Sequence, residues 1–311
     1  MDQDTVGQDN VDRNTVDGSA GHARTVLPAV APFDFGASLR FIRGFPAMVG
    51  EQGASDDVLV QAVRANGVVV GARLSASDGG LACELESAGE ITDKTVAVVA
   101  DRVSFQLGLA DDLGEFYALA EHDAPFAGIA RRLRGYHQVK FPSPLELFCW
   151  ALLCQRVPLP VARGMKQALV SHFDNKITVA GTAFAAFPDL EQLLSLDQDV
   201  LFGLIGNERK AGYLYRGLPR WADLDEAFLR TGDYDEVQAA LQALPGVGPW
   251  SATFILIRGL GRMERMAPDR EGLRAASKVY GHPVDEAEFT RLASHYGPWQ
   301  GYWGHYLRVG G

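Results

Sequence analysis

Residues 244–250 read Leu-Pro-Gly-Val-Gly-Pro-Trp. Glycines two positions apart admit backbone angles closed to other residues. Pro245 and Pro249 fix φ and offer no amide hydrogen. That leaves the amides of Gly246, Val247 and Gly248 at the start of a following helix. Amides converging on a helix N-terminus, where partial positive charge gathers, suit a phosphate oxygen. The same residues also make an ordinary helix-to-helix turn closed by a glycine cap, so the turn alone leaves both uses open. Trp250 and Phe254 come next, four residues apart and on one helix face. Their rings suit either core packing or a cationic planar ligand. Further on, Pro268-Asp269-Arg270-Glu271 places two carboxylates at a helix start. Asp269 has the type and place of an N-cap.

These groups need elements to hold them. Residues 1–24 are rich in Asp, Asn, Gln, Thr and Gly, lack apolar periodicity, and read as a disordered tail. From 25 to 112 the signals are those of an α+β domain. Short runs at Val58–Val63, Gly67–Leu74 and Leu81–Leu85 are separated by hairpin signals at Ala65-Asn66-Gly67 and Asp78-Gly79-Gly80. Helical patterns at Phe35–Phe45 and Lys94–Leu109 flank them, which predicts a small antiparallel sheet with helices.

From about 113 onward three- and four-residue spacing of apolar positions predicts helices almost throughout. They fall near 115–121, 126–134, 144–153, 159–173, 189–195, 199–205, 208–221, 234–244, 250–260, 271–280 and 285–296. The expected fold class is therefore mostly α with an N-terminal α+β domain. The expected boundaries are a helical domain at 113–230 and a second one, containing the glycine turn, at 231–311, with a cleft between them.

With 311 residues and 47% hydrophobic content, the chain has the composition of a globular protein of more than one domain. No stretch is apolar enough for a membrane span, and the acidic, polar N-terminus is unlike a secretory signal. Cys83, Cys149 and Cys154 form neither a zinc pattern nor an even disulfide framework, which suits a reducing cytoplasm. The net charge of −10 argues against an unspecific nucleic-acid binder. The charge is uneven, however. Residues 131–140 are basic, and arginines recur at 258, 262, 265, 270 and 274.

The turn with its following helix, then Arg258-Gly259 and Pro268-Asp269, resembles the helix-hairpin-helix DNA glycosylase superfamily. Within that superfamily the resemblance is to the bacterial 3-methyladenine DNA glycosylase II group. It extends to Pro32-Phe33-Asp34-Phe35, to Phe148–Val157, to Lys210-Ala211 and to Tyr296-Gly297-Pro298-Trp299-Gln300-Gly301-Tyr302, and so covers roughly residues 30–308. It implies a TBP-like antiparallel sheet domain followed by helical glycosylase domains. It implies a monomeric protein of the bacterial cytoplasm and nucleoid that acts in base excision repair. The partner would be double-stranded DNA carrying a damaged base, an alkylated purine above all, which is flipped out and excised without a membrane.

A carboxylate must stabilise the sugar cation formed as the N-glycosidic bond breaks. The resemblance puts it at a helix start after the hairpin. Ungapped comparison places Arg270 there, with Asp269 one residue early and Glu271 one late, so Asp269, Glu271 or a relocated group remain the alternatives. Arg270 would then bind DNA phosphate. Trp250 and Phe254 fall on positions that line the family's base pocket. Arg308 stands where another aromatic is expected, and Tyr302, with Tyr306 nearby, would compensate.

Gln155 and Arg156 fall where the family inserts a side chain into the gap left by the extruded base. Gly246, Val247 and Gly248 would grip the DNA backbone. The carbonyls of Gln242, Leu244 and Val247 would hold a monovalent cation, Na or K; no other cofactor is implied. Lyase relatives carry a lysine directly after the hairpin, where this chain has Pro249 and Trp250. Iron–sulfur relatives carry four spaced cysteines, and none follows Cys154. The resemblance thus implies a monofunctional enzyme. The competing readings are a catalytically altered member that binds DNA or lesions without excision, and a helical scaffold that uses the hairpin only structurally.

Overall fold

Alternation of inward and outward residues builds the first layer. In the computed structural model, which describes residues 21–311, five antiparallel strands form one sheet in the order β1-β5-β4-β3-β2. They are β1 (His22–Pro28), β2 (Gln52–Ala54), β3 (Val58–Ala65), β4 (Val68–Ser77) and β5 (Gly80–Glu86). β3 and β4 pair from Val58 opposite Ser75 to Ala65 opposite Val68. Asn66 and Gly67 reverse the chain between them with φ of 50° and 82°, the left-handed pair a two-residue hairpin requires. Leu59, Val63, Val70, Leu74, Leu81 and Leu85 point inward. They share a core with Leu39 and Ile42 of α1 (Phe35–Arg43) and with Val96, Val99 and Val103 of α2 (Asp93–Leu107).

The expected tail at 1–24 needs correction at its end. His22, Ala23 and Arg24 belong to β1, and Ala23 is buried. The inward residues Ala23, Thr25 and Leu27 alternate, but two of them are too small or polar to register as a hydrophobic pattern. Residues 1–20 of that tail lie outside the described residues. A second, unforeseen hairpin of β6 (Lys176–Val179) and β7 (Thr182–Ala185) turns at Ala180 and Gly181. It packs so closely on β4 that a Cβ at Gly71 would meet Val179 Cγ2 at 2.4 Å.

The helices follow the predicted order: α3 (Gly114–Glu121), α4 (Ala124–Arg132), α5 (Pro144–Leu153), α6 (Leu159–His172), α7 (Leu190–Leu194), α8 (Gln198–Ile205), α9 (Glu208–Ala222), α10 (Glu226–Thr231), α11 (Tyr234–Gln242), α12 (Pro249–Leu260), α13 (Arg270–Tyr280), α14 (Glu286–Ser294) and α15 (Gln300–Gly310). Neither α10 nor α15 was among the ranges expected from spacing; the six residues of α10 are too few to show periodicity. Every residue of α5 from Leu147 to Leu153 is buried. A helix that is apolar all round belongs inside, and α5 packs against α6, α9 and α12.

The packing does not divide at 230/231. α11 and α12 share one core with α5 to α9, through Leu152, Leu214, Val237, Leu241, Val247 and Ile255. The last helices return to the sheet side. There Tyr296, Tyr302, Trp303 and Tyr306 interlock with Phe116 and Phe126 of α3 and α4. The reason is the aromatic face of α15, which finds its partners far back along the chain. Residues 133–143 and 261–269 cross between the two cores, and the candidate site lies at that crossing.

Candidate active site

The glycine turn joins α11 to α12. Gly246 has φ of 80°, and a Cβ there would lie 2.5 Å from the Tyr213 ring, so both backbone angle and space demand glycine. Gly246 and Gly248 are half-buried rather than interior. One expectation about the amides changes. The Val247 amide donates to the Leu244 carbonyl at 3.1 Å, and Val247 itself is buried as an apolar pin. The amides of Gly246, Gly248, Trp250 and Ser251 have no intramolecular acceptor among the described residues. α12 has no side-chain cap either. Four free donors at and just before a helix N-terminus are of the kind that suits an anion.

Beside the turn, the loop after α5 is held by two devices. Gln155 Nε2 donates to the Gly246 carbonyl at 2.8 Å and to Ser251 Oγ at 3.1 Å. Lys210, buried on α9, donates to the carbonyls of Leu152, Leu153 and Gln155 at 3.0, 2.7 and 2.7 Å. Its ammonium thus closes the negative end of α5. Desolvation lowers the lysine pKa. Arg156 is exposed between these anchors with φ of 52°, a left-handed backbone that side chains rarely adopt. Arg156, Arg209, Tyr213, Gly246, Gly248 and Trp250 line a common groove. Gln155 therefore acts as the strut, and Arg156 is the residue that projects.

At the crossing of the two cores lies a cavity of about 180 Å³. α12 supplies Trp250, Phe254 and Arg258; residues 133–143 supply Gln138; residues 261–269 supply Met266 and Asp269; α15 supplies His305 and Arg308. Trp250 and Phe254 stack at 5.2 Å with rings 26° apart. Trp250 remains 52% exposed, so its ring is at the mouth and not in the core.

Asp269 caps α13: its Oδ1 accepts from Gly272 N at 2.6 Å and from Arg308 Nη2 at 2.8 Å. No described residue donates to its Oδ2. The cap and the cavity position thus belong to one side chain with two oxygens. His305, at the cavity wall, contacts the Tyr136 hydroxyl at 2.9 Å. Burial, aided by Arg258 and Arg308, holds its pKa far below the ordinary range, so it is neutral.

Other expected site residues are elsewhere. Glu271 is exposed on α13, pairs with Arg274 and does not line the cavity; a one-residue step turns it about 100° away from Asp269. Arg270 is exposed and pairs with no carboxylate among the described residues. Tyr302 and Tyr306 belong to the core and do not line the cavity. Tyr302 donates to Asp111, and Tyr306 donates to the carbonyls of Leu133 and Tyr136. Arg308 does line it, as the partner of Asp269.

Much of the basic run at 131–140 is absorbed internally. Lys140 pairs with Asp111 at 2.8 Å and Arg134 lies over the Tyr117 ring. Sequence reasoning passed over Gln138, and it did not connect Arg258 with the cavity. The signal for Arg258 is a lone arginine in the apolar run Ala-Thr-Phe-Ile-Leu-Ile-Arg-Gly-Leu.

The carbonyls of Gln242 and Val247 accept no hydrogen bond among the described residues, and that of Leu244 accepts one. Oxygen donors with spare lone pairs suit a hard cation. The donor set therefore fits a monovalent ion. Among the described residues no helix is long and apolar enough to cross a membrane. A cavity of about 720 Å³ between the sheet and the second core shares no residue with the site.

No protein-family model matches the chain. It is 26% identical over 205 residues to the DNA-3-methyladenine glycosylase of Bacillus subtilis, spanning 64% of this chain and 67% of that one. It is 31% identical over 153 residues to the probable bifunctional transcriptional activator/DNA repair enzyme AlkA of Mycobacterium tuberculosis, spanning 49% of this chain but only 30% of that protein. In fold it is similar to the 3-methyladenine DNA-glycosylase of Archaeoglobus fulgidus, with a TM-score of 0.73, 20% identity, and 92% and 97% of the two chains covered. It is also similar to the 8-oxoguanine glycosylase/lyase of Clostridium acetobutylicum, with a TM-score of 0.69, 14% identity, and 96% and 99% coverage.

Proposed function

Because the chain belongs to the helix-hairpin-helix DNA glycosylase superfamily, we propose that it is a monofunctional glycosylase that hydrolyses the N-glycosidic bond of a damaged purine in duplex DNA. The observation that carries this reading is the free Oδ2 of Asp269 at a cavity whose mouth is the Trp250–Phe254 stack. The hairpin amides grip a phosphate, and a monovalent ion on the carbonyls of Gln242, Leu244 and Val247 adds positive charge there. Arg156 fills the gap in the stack while the nucleotide swings out. The base then lies against the two rings.

As the base leaves with the bonding pair, positive charge develops on the sugar, and Asp269 stabilises it. Water adds to the anomeric carbon and releases its proton to solvent or to the departing base. Asp269, on its second oxygen, also orients that water. Among the described residues no lysine lines the cavity: Pro249 and Trp250 occupy the turn, and Lys210 is committed to three carbonyls. That supports hydrolysis without a lyase step. The relatives' names point to alkylated purines as the lesion class.

A second reading, lesion binding without excision, rests on Arg270, an exposed cation where the resemblance places the acid. Single-turnover base release from duplexes carrying a panel of damaged bases separates the two. Release that depends on Asp269 supports the enzyme. Lesion-selective binding with no release of any base supports the second reading.

A further inference from the structure

The cavity of about 720 Å³ between the sheet and the second core takes no part in the steps above. Small-molecule sites have volumes of roughly 300–1,000 Å³. β3 and α2 form one wall, with Gln61, Val63, Val98 and Arg102. The start of α5, with α9 and α10, forms the other, with Leu145, Glu146, Trp221 and Arg230. A molecule held there would touch both cores.

Gln61 is out of place in a closed core. It stands on the inward face of β3 between Leu59 and Val63 and is 2% exposed. Neither its Oε1 nor its Nε2 has a hydrogen-bond partner among the described residues. A buried amide left unpaired destabilises a fold, and leucine would continue the apolar face without that cost. On the same wall, Glu51 accepts from Lys166 on Oε1 at 2.6 Å, while its Oε2 is buried without a partner. Desolvation raises this carboxyl to about 8, so at neutral pH it carries a proton and donates as well as accepts. A ligand that brings its own donor and acceptor accounts for both side chains.

The charges of the cavity balance. Arg64 pairs with Asp189 at 2.5 Å and Arg230 with Glu226 at 2.6 Å. Arg102 donates to the Arg64 carbonyl, and Glu226, Glu146, Asp101 and Asp189 offset its charge. Among the lining residues that are exposed, Asp101, Glu191 and Glu226 face the single cation Lys94. An acidic rim repels phosphate, and a balanced interior favours a ligand without net charge.

We propose that this cavity is a second binding site, and that its ligand is a free, uncharged nucleobase presenting a donor beside an acceptor, with adenine as the type. A glutamine amide pairs with the N6 and N7 edge of adenine through two hydrogen bonds. The terminal torsion that turns Gln61 to meet that edge is soft. The Glu51 hydroxyl donates to a second ring nitrogen, and Val63, Val98, Leu145 and Trp221 give the flat ring apolar walls. The site shares no residue with the Asp269 cavity or with the groove at the hairpin, so the proposal does not depend on the glycosylase reading.

Calorimetric titration of the full chain with adenine and with adenosine monophosphate tests it, beside Gln61→Leu, Ala97→Trp and Trp250→Ala. Wild type is expected to bind adenine at least tenfold more tightly than the monophosphate. Q61L is expected to lose at least tenfold in affinity for adenine while melting at or above the wild-type temperature, since it removes an unpaired polar group. Ala97 is exposed on α2 at the rim; A97W plugs the opening and is expected to lose as much, and it decides the matter if Q61L does not fold. W250A removes the aromatic mouth of the other cavity and is expected to bind adenine within twofold of wild type. Absence of saturable adenine binding, wild-type affinity in folded Q61L or in A97W, loss of binding in W250A, or monophosphate binding as tight as that of adenine overturns the proposal.

Discussion

Asp269→Asn separates the two tasks of that side chain. Asparagine caps a helix as well as aspartate does, so the bond to Gly272 N, 2.6 Å in the native chain, is retained. What goes is the charge. A carboxylate about 4 Å from a unit positive charge, at an effective dielectric of about 20, contributes about 4 kcal/mol. That corresponds to roughly a thousandfold in rate. Arg308, 2.8 Å from the other oxygen, offsets part of it, so the expected loss in single-turnover base release is about 10²- to 10³-fold.

Stability responds far less. Asp269 and Arg308 are 34% and 28% exposed, and Arg308 keeps its bond to the Gly304 carbonyl at 3.0 Å. An ion pair this accessible contributes at most about 1 kcal/mol, a shift of about 3 °C or less in Tm for a chain of this size. Asp269→Ala, which loses the cap as well, is expected to cost about 1 kcal/mol more. Release by D269N within threefold of wild type, with folding intact, refutes the assignment of Asp269. Glu271→Gln is the control and is expected to stay within about twofold, as an exposed substitution outside the site.

Gly246→Ala must fit a Cβ 2.5 Å from the Tyr213 ring at φ of 80°. It is expected to lower duplex affinity at least tenfold and to cost about 1–3 kcal/mol of stability, read by fluorescence anisotropy and thermal melting; unchanged affinity would remove the turn from the DNA interface. Gln155→Ala removes the strut under Arg156 and strands the Gly246 carbonyl and Ser251 hydroxyl, at about 1–3 kcal/mol. Its base-release rate is expected to fall more than its affinity for undamaged duplex. Glu51 shares the buried Lys166 ammonium with Glu146, both at 2.6 Å, and desolvation raises Glu51 from 4.5 to about 8. The folded chain therefore holds a proton there that the unfolded chain releases, so the Glu51 contribution to stability is present below 4.5 and is lost as pH rises toward 8. Melting curves from pH 5 to 9 are expected to show this decline in wild type and a flatter profile in Glu51→Gln.

Several features were legible because their causes are local. The Asn66-Gly67 hairpin, the α5 span at Pro144–Leu153 and the capping of α13 by Asp269 each depend on a few adjacent residues. β1 was lost in part because small or polar residues face inward along it. The Tyr302 assignment was wrong for a similar reason. An aromatic near the site is indistinguishable in sequence from one in the core until Asp111 and Gln138 claim its hydroxyl. Arg258 was visible as a lone charge in an apolar helix, but nothing local says which wall it lines.

The sequence by itself determined most of the element types, the glycine turn with its donor-rich helix start, and the placing of Trp250 and Phe254 on one helix face, because all three follow from spacing within one or two turns of chain. Only the tertiary structure decided that Asp269 and not Glu271 lines the cavity, that Arg308 holds one of its oxygens, and that Gln138 and Arg258 form the wall. Those residues come from four segments up to 170 positions apart (Arg308 lies 170 beyond Gln138). They meet because the aromatic face of α15 is buried against α3 and α4, which carries the end of the chain back across the seam between two cores.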